Sequence, residues 1–215
     1  MTDDRRALIA MLLDRSGSMQ SIKSDTEGGF DAFIGQQRGL DLDVRVTLAQ
    51  FDTEYEVVYA DRPVAEVPAL DLQPRGMTAL YDSLGRLITD VGAELAAKPE
   101  DERPGSVVVV VMTDGHENSS REWSHEAVRS VITQQETDYA WTFVFLGANM
   151  DAVEIGQQLG FAADRSMTYA ASPAGVGAAF RATGAYVARE MAAPSGARAA
   201  GFSDADRSAA MGKES

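Results

Sequence analysis

The stretch Ala7-Leu-Ile-Ala-Met-Leu-Leu13, followed at once by Asp14-Arg15-Ser16-Gly17-Ser18, decides how the rest of the chain is read. An unbroken apolar run of this length marks a strand buried on both faces; a strand with one wet face would alternate. A second such run, Ser106–Met112, holds five valines and a methionine and leads into Thr113-Asp114-Gly115. Doubly buried strands imply a mostly parallel sheet with helices on both sides.

Outward from these runs, strand and helix signals alternate. A helix carrying Ile22, Phe30, Phe33 and Ile34 is expected after Ser18, with Gly28 and Gly29 either weakening it or allowing close packing. Asp43–Phe51 and Tyr55–Tyr59 flank the polar turn Asp52-Thr53-Glu54 and predict a hairpin, hence one antiparallel edge. The proline-bearing segment from Arg62 to Pro74 reads as an irregular connection. From about Ala79, the residues Leu80, Leu84, Leu87, Ile88, Val91 and Leu95 form a helical stripe. Ser124 caps a further helix, Trp141–Leu146 is a strand, and Gly160 stops the short helix Asp151–Leu159. Arg165–Tyr169 is a last short strand, and Ser172-Pro173 opens a helix as N-cap and first residue. From Pro194 on, small, polar and charged residues dominate. The expected organisation is therefore a domain over 1–193 and a disordered tail over 194–215.

A chain of 215 residues, 45% hydrophobic, suits a single α/β core. Its net charge of −14 argues against a nucleic-acid-binding surface, which needs a basic stripe. The absence of cysteine excludes disulfides, thiolate metal sites and thiol nucleophiles. Ala7–Leu13 is too short to span a bilayer and lacks a small-residue cleavage site. The expectation is a soluble, non-secreted, cytoplasmic protein without a membrane partner.

Asp14, Ser16, Ser18, Thr78 and Asp114 are hard oxygen donors, and each falls where a strand or turn should end. In a doubly wound sheet, ligands bind beyond the carboxyl ends of the strands, where strand order reverses. If the two apolar strands are central neighbours, Asp14 and Asp114 reach one crevice. Together with Thr78 in Arg75-Gly-Met-Thr-Ala, these residues resemble the metal-ion-dependent adhesion site of the von Willebrand factor type A family. The resemblance covers about residues 5–192, and the string Thr113-Asp-Gly-His-Glu-Asn118 looks like bacterial and phage intracellular members. It implies a Rossmann-like three-layer α/β/α sandwich, with a sheet of about six strands in the order 3-2-1-4-5-6 and one antiparallel edge strand. It also implies that Ser16, Ser18 and Thr78 bind a cation directly, while the two aspartates act largely through water.

Mg²⁺ takes about six oxygens in a near-octahedral shell, and a hydroxyl-rich site leans toward Mg²⁺ or Mn²⁺ over Ca²⁺. Neutral hydroxyls quench the ion less than carboxylates do, so it keeps an appetite for an outside anion. A partner protein's Asp or Glu carboxylate would complete the shell. The function expected is cation-dependent protein binding, without catalysis. Two alternatives stand beside it: a scaffold subunit of an ATPase-linked or stress-resistance assembly, and a Mg²⁺-dependent phosphohydrolase.

Other chemistry is poorly supported. Only His116 and His125 are present, too few for an ordinary zinc site. Neither serine of the motif has an evident histidine base, and no Gly-x-Ser-x-Gly, P-loop or dinucleotide fingerprint occurs. Asp82 and Ser83 read as helix-start or supporting residues, and Arg15 as an exposed charge that either steers an acidic ligand or decorates the surface. Glu117 and Asn118 either touch a partner or fold their own loop back. His116 either lines the groove or is a solvated loop histidine.

Overall fold

Six strands form one sheet in a computed structural model that describes residues 2–194 and 197–213. The chain runs β1 (Asp3–Asp14), a 3₁₀ turn over Gly17–Ile22, α1 (Lys23–Gln37), β2 (Asp43–Phe51) and β3 (Tyr55–Pro63). It continues as α2 (Leu80–Ala97), β4 (Pro104–Thr113), α3 (His125–Tyr139), β5 (Thr142–Ala148) and α4 (Ala152–Leu159). It ends with β6 (Ser166–Tyr169), α5 (Pro173–Met191) and α6 (Asp204–Ala210). The strand order is β3-β2-β1-β4-β5-β6, with only the β2–β3 pair antiparallel. This is the expected von Willebrand A-like sandwich.

The two apolar runs explain the layering. Successive side chains of a strand point to opposite faces. In β1, Ala7, Ile9, Met11 and Leu13 pack toward α1 and α5, while Leu8, Ala10 and Leu12 pack toward α2, α3 and α4. β4 splits its valines in the same way: Val108 and Val110 to one side, Val107, Val109 and Val111 to the other. β1 and β4 lie side by side, with Leu13 opposite Met112. β1 crosses over to β2 on one flank, and β4 to β5 on the other. The reversal of strand order therefore falls between β1 and β4, and both strands deliver their carboxyl ends to the same edge.

The helix boundaries follow local chemistry. Ser124 accepts the Ala127 amide, Ser172 accepts the Gly175 amide with Pro173 behind it, and Gly160 ends α4 at φ 99°. Among the described residues, no helix is long and apolar enough to cross a membrane.

The tail expectation needs correction. Residues 195–196 and 214–215 lie outside the described residues, but 197–213 fold back onto the domain. Arg198 reaches Glu190 Oε1 at 2.9 Å and the Trp141 carbonyl at 2.9 Å, and it also meets the Thr142 hydroxyl. Phe202 is buried against Tyr186, with ring centroids 5.7 Å apart. Ser203 and Asp206 form a reciprocal capping box that starts α6, and the Ala210 carbonyl accepts the Ala170 amide. Bulk composition hid these anchors: Arg198 meets Trp141 and Thr142, far away in sequence, whereas the Ser203–Asp206 box is a local helix-start signal.

This docking makes stability depend on pH. Burial pushes the Glu190 carboxyl up, but the Thr142 hydroxyl, the Ala199 amide and Arg198 outweigh it and hold the group below the ordinary glutamate value of 4.5. A depressed acid contributes stability above its unfolded value and loses it as pH falls through the folded one. Thermal melts of the wild type should therefore lose more midpoint than those of Glu190→Gln as the pH is lowered from neutral to below 4.5. Parallel curves for the two proteins would refute the assignment.

Candidate metal centre

Three loops meet beyond the carboxyl ends of β1 and β4. The first carries Asp14, Ser16 and Ser18. Asp14 Oδ1 accepts the Ser16 amide at 2.6 Å, so the carboxylate itself turns the loop. Asp14 Oδ2 accepts the Thr113 hydroxyl at 2.5 Å from the neighbouring strand. The Ser16 and Ser18 hydroxyls lie 3.1 Å apart, and Ser18 donates to Asp114 Oδ1 at 2.5 Å. A continuous polar chain thus joins Asp14, Ser16, Ser18 and Asp114.

Thr78 enters from the second loop, and Gly115 shows where it arrives. A methyl group on Gly115 would sit 2.8 Å from Thr78 Oγ1 and 3.7 Å from both Asp14 Oδ2 and Ser16 Oγ. Oxygens from the first two loops therefore face one small space on the third, left open because residue 115 has no side chain; Asp114 joins them through Ser18. All five expected positions are brought together. Among the described residues, no three His, Cys, Asp or Glu side chains form a group that could hold a metal ion, here or elsewhere. The site is built from hydroxyls with two carboxylates, a donor set for a hard cation such as Mg²⁺.

The electrostatics fit the same guest. Burial pushes the Asp14 carboxyl up to about 6, against the opposing hydrogen bonds from Thr113 and Ser16, and the Asp114 charge adds to the rise. Burial also raises Asp114, with the Ser18 hydroxyl opposing. Two carboxylates held in a desolvated crevice would each be stabilised by a nearby positive charge.

The loops are positioned by residues whose roles the linear pattern left open or missed. Asn118 Oδ1 accepts the Thr78 amide at 2.9 Å, and the Asn118 amide donates to the Thr78 carbonyl at 3.0 Å. Glu117 accepts the amides of Tyr81, Ser119 and Ser120 and the Ser120 hydroxyl. Both residues therefore fold their loop back onto the start of α2. Asp82 completes the brace by accepting the amides of Arg121, Glu122 and Trp123. His116 is exposed.

Arg15 is not the exposed charge expected from its place in the motif. It is buried, pairs with Asp52 at 2.9 Å and Glu56 at 2.5 Å, and its amide donates to the Phe51 carbonyl at 2.7 Å. Asp52 also accepts from Arg75 at 2.9 Å, so one buried carboxylate ties the Ser16 loop to the Thr78 loop. Burial opposes the charge on Asp52, but the two arginines and the Glu54 amide hold its carboxyl below the usual value. Asp52 read only as a hairpin turn residue. Its one sequence signal was its position at the end of a strand, next to the strand that ends at Asp14.

No protein-family model matches the chain, and no curated protein matches it. Solved structures do. The proximal thread matrix protein 1 of the mussel byssus, with a zinc-occupied metal-ion-dependent adhesion site, superposes with a TM-score of 0.60 at 14% identity over 87% of this chain and 48% of its own. A von Willebrand factor type A protein from Catenulispora acidiphila gives 0.56 at 17% identity, over 84% of this chain and 42% of its own. The von Willebrand domain of the type V pili tip protein Mfa5 from Porphyromonas gingivalis gives 0.58 at 11% identity, over 86% and 96%. The chain spans about half the length of the first two. At these identities the likeness establishes the fold.

Proposed function

We propose that this chain is a divalent-cation-dependent protein-binding domain. Ser16, Ser18 and Thr78 would hold Mg²⁺, or Mn²⁺ or Ca²⁺ in its place, with Asp14 and Asp114 acting largely through water. The bound ion would offer its remaining position to an Asp or Glu carboxylate of a partner protein. The observation that carries this reading is the convergence of Thr78, Asp14 and Ser16 oxygens on the space beside Gly115. The neutral donors leave the ion electrophilic, and the two desolvated carboxylates gain from its charge. The zinc-occupied site of the byssus protein supports a divalent ion in a similar fold.

Calorimetry on the full chain tests the proposal. Mg²⁺ or Mn²⁺ should bind at one site, more tightly when acetate is present as a carboxylate mimic, and a chelator should reverse the effect. Absence of any binding heat with either ion, with and without acetate, would overturn it.

A further inference from the structure

A small cavity opens directly beside the metal centre, on the other side of the Gly115 loop. It lies between that loop, the start of α2, the end of β5 and the outer face of α4, and measures about 170 Å³. Its inner wall is Leu80, Phe145 and Met150, all buried, with Ile155 on α4 as the outer wall. Exposed His116 and Gln158 stand at the mouth.

The size selects the guest. Pockets for whole drug-sized ligands run to about 300 Å³ or more. A cavity of about 150 Å³ lined by Leu, Ile and Phe takes up a benzene-sized group. This cavity therefore suits one apolar side chain such as Leu, Met or Phe. The polar lining does not call for a charged guest. The carboxylate of Glu117 is engaged by three backbone amides and one hydroxyl and has little left to offer a cation. His116 has no hydrogen-bond partner among the described residues and stands free at the rim, where peptide backbone would pass.

We propose, resting on the cation-dependent reading above, that the partner segment presents an acidic residue to the metal and a nearby large apolar side chain to this cavity. Gly115 connects the two subsites: it borders the cavity and also faces the Thr78, Asp14 and Ser16 oxygens. An acid without the apolar neighbour would dock at the ion alone. Recognition of the pair separates the intended partner from the many carboxylates of a cell, because both requirements must be met on one short segment.

The test uses the full chain in saturating Mn²⁺ and capped tetrapeptides with one glutamate, in which every other position is alanine or, one at a time, leucine. The best leucine peptide should bind about tenfold or more tightly than the all-alanine peptide, as burial of one such side chain predicts. Filling the cavity with Ile155→Trp should abolish that preference while leaving Mn²⁺ and acetate binding unchanged. If acetate binds with the ion but no leucine position exceeds alanine, the cavity proposal falls and the metal reading stands. If leucine peptides keep their advantage in folded Ile155→Trp, checked by its thermal melt, this cavity is not their subsite. If neither ion nor acetate binds, both readings fall together.

Discussion

Gly115→Ala is expected to leave the protein folded and to weaken Mg²⁺ or Mn²⁺ binding by about 10- to 100-fold, the range seen when groups supporting a metal's ligands are disturbed. The substitution removes no ligand. Its methyl group would lie 2.8 Å from Thr78 Oγ1, closer than such contacts tolerate, and 3.7 Å from Asp14 Oδ2 and Ser16 Oγ. Thr78 cannot easily retreat, because its backbone is held on both sides by Asn118. Gly115 is not among the residues with positive φ, so alanine meets no backbone strain there. Calorimetry reports the affinity and a thermal melt reports the fold. Unchanged affinity would mean that the three loops do not share one guest, and the metal centre as drawn would be wrong.

The second large effect concerns stability, and it distinguishes two adjacent glycines of α1. A Cβ on Gly29 would lie 2.3 Å from Phe180 Cδ2, whereas one on Gly28 meets nothing within 4 Å. Gly28→Ala should therefore stabilise the protein by up to about 1 kcal/mol, the usual gain of alanine over glycine inside a helix. Gly29→Ala should destabilise it by about 1–3 kcal/mol through overpacking against α5. Phe180→Ala alone, removing a fully buried ring, should cost about 3–5 kcal/mol. In that background Gly29→Ala should become neutral or stabilising, because the atom it strikes is gone. The coupling is read as a double-mutant cycle from denaturant titrations. Additive effects would show that Gly29 is not the seat on which Phe180 packs.

These two cases show where reading by pattern stops. Hydrophobic pattern reports that a residue is buried, and it made β1, β4 and the α2 stripe legible. Cap and turn chemistry is local, so Ser124, Ser172 and Gly160 were legible too, within a residue or two. Asp14 and Asp114 were visible because a strand that ends at a carboxylate presents it at the sheet's edge, whereas Ser16, Ser18 and Thr78 were picked out by the resemblance to a known site. Gly28 and Gly29 are identical in sequence terms, and only the arrival of Phe180 some 150 positions later (180 against 29) separates them.

The chain by itself determined the doubly buried parallel sheet and its antiparallel edge, because each follows from residue type and spacing over a few positions; the five oxygen donors were named as a set through the resemblance to a known site. Tertiary structure alone decided the rest. It buried Arg15 beside Asp52, used Asn118 and Glu117 as braces, opened an apolar cavity next to Gly115 and docked residues 197–213 through Arg198 and Phe202. For Arg15, Asn118, Glu117 and Arg198 the physical reason is shared. A charged or amide side chain is stable wherever enough partners satisfy it, and those partners are supplied by loops that only the folded sheet brings within hydrogen-bonding distance.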